Sequence, residues 1–173
     1  MNAATGTGRR HLVLIGLMGV GKTTVGQVLA DRLGRELVDS DLRIEALTGR
    51  TVKQILQQGG VVELRRYEAA ALFDALTDPE PRVLAAAGGV VLDRHHRTRL
   101  LEADADVVWL TGDPETLGPR TTTRDHRPWL DDDVVGTLQR MYIEREHLYR
   151  EVADRVVAVD GLTPDEVADR VLA

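Results

Sequence analysis

The chain has 173 residues, enough for one compact domain with a real core, and its 43% hydrophobic and 29% charged residues are ordinary for a soluble globular protein. It has no cysteine, which excludes disulfides and thiolate metal sites and fits a reducing, cytoplasmic compartment. A net charge of -6 at pH 7 and only 3% aromatic residues argue against a polyanion-binding surface or base-stacking platforms, so no nucleic-acid partner is expected.

Residues 1–9 are polar and read as a disordered tail ahead of one domain spanning 10–173. The apolar run from Leu12 to Leu17 is too short and too broken by glycine to be a signal peptide or a membrane span, so no membrane partner is expected. Within it, Leu12 to Ile15 is continuously apolar, as a strand buried on both faces would be. Val25, Leu29 and Leu33 recur at four-residue spacing and predict a helix. Residues 36–41 form a short second strand. Residues 44–49 and 51–60 read as short helices punctuated by glycine, and Val62 to Leu76 as a longer one stopped before Pro79 and Pro81. Residues 82–89 read as a third strand ending in Gly88-Gly89, 96–103 as a helix, and 105–112 as a fourth strand. Thr111 to Trp129 shows no period and reads as a loop, with a lid over about 119–129. A long helix runs from Asp132 to Val152, a fifth strand covers 155–161, and Thr163 caps a closing helix with Pro164 at its first position. Strands alternating with helices predict an α/β fold, a parallel sheet with helices on both faces.

Gly16 to Thr23 fits G-x-x-x-x-G-K-[ST] at every fixed position, between a predicted strand and a predicted helix. Glycines let backbone N–H groups converge on phosphate oxygens, and the helix that follows adds its positive end. In such a loop Lys22 reaches the β- and γ-phosphates and Thr23 ligates Mg²⁺. The bland reading is a glycine turn with a solvated lysine. A GTPase would read guanine with N-K-x-D, yet the only asparagine is Asn2. A small P-loop protein with an arginine-rich loop suggests a kinase for a small acceptor.

Five further features carry chemistry, each with a plainer alternative. Asp39 and Asp41 stand two apart at a strand end and share a face, suited to Mg²⁺ or an acceptor hydroxyl; alternatively, Asp41 caps the next helix. Arg145 interrupts an apolar stripe of Leu138, Met141, Leu148 and Val152, so its guanidinium needs an anion, either a substrate carboxylate or a structural Asp or Glu. Arg65 precedes Glu68 by three residues, which by spacing alone is a surface ion pair. Gly88 and Gly89 end a strand, where a ligand approaches the backbone closely or the chain merely turns. Arg120, Arg124 and Arg127 lie in the loop that could close over phosphates or stay solvated.

Taken in order, these pieces resemble the shikimate kinase family, from His11 onward. The P-loop stretch 16–26 looks like its opening motif, residues 38–55 its D-x-D and I-E-x-x-x-G, residues 63–72 its F-R-x-x-E helix, residues 124–130 its lid motif, and residues 145–154 its R-x-x-L-Y-x-x-x-A-D. The resemblance implies a five-stranded sheet of order 2-3-1-4-5 and transfer of the ATP γ-phosphoryl group to the 3-hydroxyl of shikimate, a step of aromatic amino-acid biosynthesis. It implies a nucleotide cradle of Gly19, Val20, Gly21, Lys22, Thr23 and Thr24, with Arg120 near the adenine. Thr23 would bind Mg²⁺ directly and Asp39 through water. Asp41 would hold the acceptor hydroxyls and take the proton, Arg65 and Arg145 would grip the substrate carboxylate, Gly88 and Gly89 would lend backbone beside it, and Arg127 would act from the lid. The expected partners are ATP, Mg²⁺ and a small-molecule acceptor, on a monomer.

The sequence departs from the family pattern in four places. The first glycine of a triplet is Ala87, a glutamate is Val61, a phenylalanine is Leu64, and the lid carries Trp129 in its third position. Two other readings stay open: a kinase for another small hydroxylated acid or cyclitol, and a nucleotide-binding regulatory homologue without catalysis.

Overall fold

The computed structural model describes residues 11–121 and 133–173. The expected tail over 1–9, the acidic run at Asp131 and Asp132, and the lid residues Arg124, Arg127 and Trp129 lie outside them.

Five parallel strands form one sheet in the order β2-β3-β1-β4-β5, as the resemblance implied. The strands are β1 (His11–Ile15), β2 (Leu37–Asp39), β3 (Val83–Ala85), β4 (Ala105–Thr111) and β5 (Arg155–Ala158). The helices are α1 (Lys22–Leu33), α2 (Ser40–Thr48), α3 (Val52–Ala75), α4 (Arg94–Glu102), α5 (Pro114–Thr121), α6 (Val134–Val152) and α7 (Pro164–Leu172), with a 3₁₀ turn at Val90–Leu92. The middle strand, β1, is buried at all five residues between β3 and β4, which is why it reads as an unbroken apolar run. The main core gathers around it and includes Trp109, only 2% exposed. A second, smaller cluster of Ile44, Val52, Ile55, Leu64 and Ala71 joins α2 to α3.

Parallel order brings all strand ends together at one edge of the sheet. Asp39 on β2 is in register with Ala85 on β3, and the loop after β1 leaves from the same edge. That edge is where open parallel sheets bind ligands.

Several boundaries differ from the sequence reading. Helices expected separately at 51–60 and 62–76 are one element, α3, kinked at Gly60 (φ 73°, ψ -176°). Glycine does break the ladder there, but the chain continues in helix on both sides. The third strand stops at Ala85, before the glycine pair, and the fifth at Ala158. The stretch after β4 is not all loop. Residues 114–121 form α5, whose first amides are held by the Asp113 side chain (to Glu115 N–H, 3.0 Å) and the Asp113 carbonyl. Barely two turns long and carrying Pro119 inside, α5 buries Leu117, Gly118 and Thr121 yet has no readable period. The expected lid therefore begins on this helix, and its remainder lies outside the described residues. Among the described residues no helix is long and apolar enough to cross a membrane.

Candidate active site

Between β1 and α1 the chain makes the turn that the glycines permit. Gly16 has φ 141°, and a Cβ there would overlap the Leu110 carbonyl of the neighbouring strand, so no other residue fits this exit from β1. Helix α1 then starts at Gly21 with no side chain on its first amides. By contrast α2, α3, α4, α6 and α7 each begin with a side chain accepting from a first-turn N–H. The uncapped end of α1 leaves its amides for an anion. Lys22 folds over the loop, and its Nζ donates to the Gly16 and Leu17 carbonyls at 2.8 and 2.9 Å.

Beside the loop, the Thr23 hydroxyl donates to Asp39 Oδ2 at 2.5 Å. The other oxygen of Asp39 accepts the amides of Asp41 and Leu42 at 3.0 and 3.2 Å. Asp39, not Asp41, is thus the N-cap of α2, which corrects the plainer reading of this pair. Asp41 occupies the first turn and lines the cleft.

One cleft of about 570 Å³ takes in every expected site residue among the described ones. Its walls include Gly19, Val20, Gly21, Lys22, Thr23, Thr24 and Arg120 from the nucleotide set. They also include Asp39, Asp41, Arg65, Gly88, Gly89 and Arg145. Only Arg127 is left out, because it lies outside the described residues.

The Arg65–Glu68 pair is not on the surface, contrary to what its spacing suggests. Glu68 is 5% exposed, and Arg65 Nη1 donates to its Oε2 at 2.5 Å. Burial pushes the Glu68 carboxyl up, against the opposing pull of Arg65, while the charge on Asp41 adds to the rise. The guanidinium of Arg65 lies flat against Gly89, where a Cβ would overlap it.

Arg145 is 7% exposed, on the buried face of α6 as its spacing predicts. Its Nε meets Glu144 Oε2 at 3.3 Å, and Glu144 is a mostly exposed residue. A solvated neighbour at that distance is a poor match for a desolvated guanidinium. The Glu144 contact is therefore weak; the buried Glu68 carboxylate also acts on Arg145 electrostatically, and the guanidinium lines the cleft.

A model of the shikimate kinase family matches residues 18–173. The shikimate kinase of Streptomyces coelicolor is 42% identical over 161 residues, covering 93% of this chain and 92% of that relative. That of Pelotomaculum thermopropionicum is 37% identical over 164 residues, covering 94% of each. The chain belongs to the shikimate kinase family. A solved structure of shikimate kinase from Acinetobacter baumannii in complex with shikimate superposes with a TM-score of 0.90 at 34% identity, over 96% of this chain and 92% of that one.

Within the family frame the departures have physical accounts. Ala87 lines the cleft at 9% exposed, and no residue other than glycine has a positive φ among the described residues, so a methyl strains nothing there. Leu64 is fully buried in the α2–α3 cluster and fills the place of the family phenylalanine. Val61 is 44% exposed and supplies no charge, but two residues on Glu63 holds Arg50 at 2.7 Å.

Two residues in this site carried no functional role in the sequence reading. Glu68 was visible as the partner of Arg65 and as the glutamate of the F-R-x-x-E motif, with no role attached. Tyr149 lies four residues beyond Arg145 on α6; it is fully buried, and its hydroxyl donates to the Gly88 carbonyl at 2.6 Å. Its signals in the sequence were the four-residue spacing from Arg145 and its place as the tyrosine of the R-x-x-L-Y motif.

Gly89→Ala tests the packing at Arg65. The overlapping atoms belong to the far end of a flexible side chain, so the fold tolerates the methyl while Arg65 is pushed aside. The expected result is a folded protein with an unchanged ATP KM and a shikimate KM raised about tenfold or more. A normal shikimate KM would mean that Arg65 is not held for the acceptor by this contact.

Proposed function

We propose that this chain transfers the γ-phosphoryl group of ATP to the 3-hydroxyl of shikimate, giving shikimate 3-phosphate and ADP. One observation carries the reading: a buried arginine on α6, a second arginine on α3 and Asp41 on α2 line the same cleft as the phosphate-binding loop. Two guanidiniums facing one cavity suit an acceptor that carries a carboxylate. A cyclitol offers no carboxylate to either of them.

In this mechanism Asp41 accepts hydrogen bonds from the acceptor hydroxyls and takes the proton as the new bond forms. Arg65 and Arg145 fix the acceptor through its carboxylate. The amides from Gly19 to Thr24 and the Lys22 ammonium hold the phosphates, and Lys22 leaves the loop carbonyls to follow charge on the transferring group. Arg120 flanks the nucleotide, and Arg127 acts on the phosphates from the lid. Thr23 Oγ1 and Asp39 Oδ2 suit Mg²⁺: both are hard oxygens, already 2.5 Å apart beside the phosphate loop, and this ion takes few protein ligands when phosphates and water supply the rest. When bound it would neutralise phosphate charge. Asp39 stays in place for it because its second oxygen is tied to the α2 amides.

ADP release with Mg-ATP, measured with and without shikimate and beside quinate, gluconate and an inositol, tests the proposal. Release dependent on shikimate is expected, with little ADP formed from ATP alone. A response to another member of the panel would assign a different acceptor. ATP binding with no response to any acceptor would mean a regulatory protein.

A further inference from the structure

The acceptor arginines come from distant parts of the chain, Arg65 on α3 and Arg145 on α6, and a carboxylate clamp works only if their spacing is held. Tyr149 joins the two elements concerned, lying on α6 and reaching the turn beside Arg65. Its ring is fully buried and stacks on Trp109 with centroids 5.7 Å apart. Its hydroxyl donates to the Gly88 carbonyl at 2.6 Å, fastening α6 to the turn that follows β3. Burial pushes the phenol up to about 12, so it remains a donor at any working pH. Gly88 fits tightly here: a Cβ would lie 3.5 Å from the Tyr149 hydroxyl and 3.1 Å from the Gly16 carbonyl. The next residue, Gly89, is the one on which the Arg65 guanidinium rests.

We propose that Tyr149 is a positioning residue for the acceptor site: its hydroxyl ties α6, which carries Arg145, to the Gly88–Gly89 turn on which Arg65 rests, setting the gap between the two guanidiniums. This rests on the reading of both arginines as a carboxylate clamp. A purely structural tyrosine would fill space with its ring, and that part survives replacement by phenylalanine. The hydroxyl instead makes its hydrogen bond to the backbone of the acceptor site.

Tyr149→Phe keeps the stack on Trp109 and removes only the hydroxyl. The expected result is a shikimate KM raised roughly tenfold, with kcat and the ATP KM within about twofold of the parent. Combined with Arg145→Lys, it should raise KM by clearly less than the product of the two single effects, because both act on the same carboxylate clamp. An unchanged shikimate KM, a parallel rise in the ATP KM, or full multiplicativity with Arg145→Lys would overturn the proposal. Should Tyr149→Phe not fold, Arg145→Lys alone serves. The Gly88 and Gly89 amide resonances should move in it although Arg145 is far away in sequence, and unmoved resonances would refute the link. Absence of shikimate-dependent turnover in the parent enzyme would defeat the functional reading itself, whereas an active parent with a silent Tyr149→Phe defeats this proposal only.

Discussion

Lys22→Ala is expected to lower kcat by about a thousandfold or more, equivalent to about 4 kcal/mol of transition-state stabilisation. Phosphoryl transfer requires little covalent chemistry from the protein, so catalysis rests on positioning and on charge placed where it develops. Lys22 is the only lysine lining the cleft, and its stem already carries the ammonium over the loop. The competing explanation for a dead variant is collapse of the loop, since Lys22 also holds the Gly16 and Leu17 carbonyls. Shikimate binding and thermal melting separate the two. A loss of transition-state stabilisation leaves both near the parent values, whereas collapse lowers the melting temperature. A variant keeping more than about a tenth of the parent kcat would be incompatible with the role given to Lys22.

Arg145→Ala is expected to raise the shikimate KM about a hundredfold, close to 3 kcal/mol, with ATP binding retained. The size follows from burial. At 7% exposed the guanidinium meets its anion with little water to screen it, and a charge-assisted bond in that setting is worth far more than a surface pair. Loss of the Glu144 contact adds little, because Glu144 is solvated and 3.3 Å away. Direct titration with shikimate and, separately, with nucleotide checks the split between the two ligands. An unchanged acceptor KM would remove Arg145 from the clamp. A matching loss of nucleotide binding would instead point to a general collapse of the cleft.

The difference between these two residues shows how much of the site could be read before folding. The phosphate loop lies within eight consecutive residues, and its function depends on local backbone geometry, so its pattern alone announced it. Arg145 betrayed itself by breaking an apolar stripe, but the stripe could not say which anion would face it. The Asp39–Asp41 pair was seen as a unit, yet its division of labour was not. Asp39 took the cap through its own side chain, and Asp41 was left to face the cleft. Glu68 was misjudged as a surface residue, because a three-residue spacing looks the same on a wet face and in a buried one. Helix α5 was missed because it is short and contains a proline.

By itself, the sequence determined the alternation of strands and helices, the phosphate loop, the buried face of α6 and, through the order of its motifs, the family resemblance. These are properties of period and of neighbours along the chain, where hydrophobic spacing and glycine freedom act directly. Only the tertiary structure decided that Arg65, Asp41, Glu68 and Arg145 share one cleft, and that Tyr149 reaches Gly88 across 61 residues. Such meetings depend on which strands pair in the sheet and on which side each crossover helix packs. No local pattern records that, because burial and charge pairing between distant segments exist only once the sheet has brought their ends together.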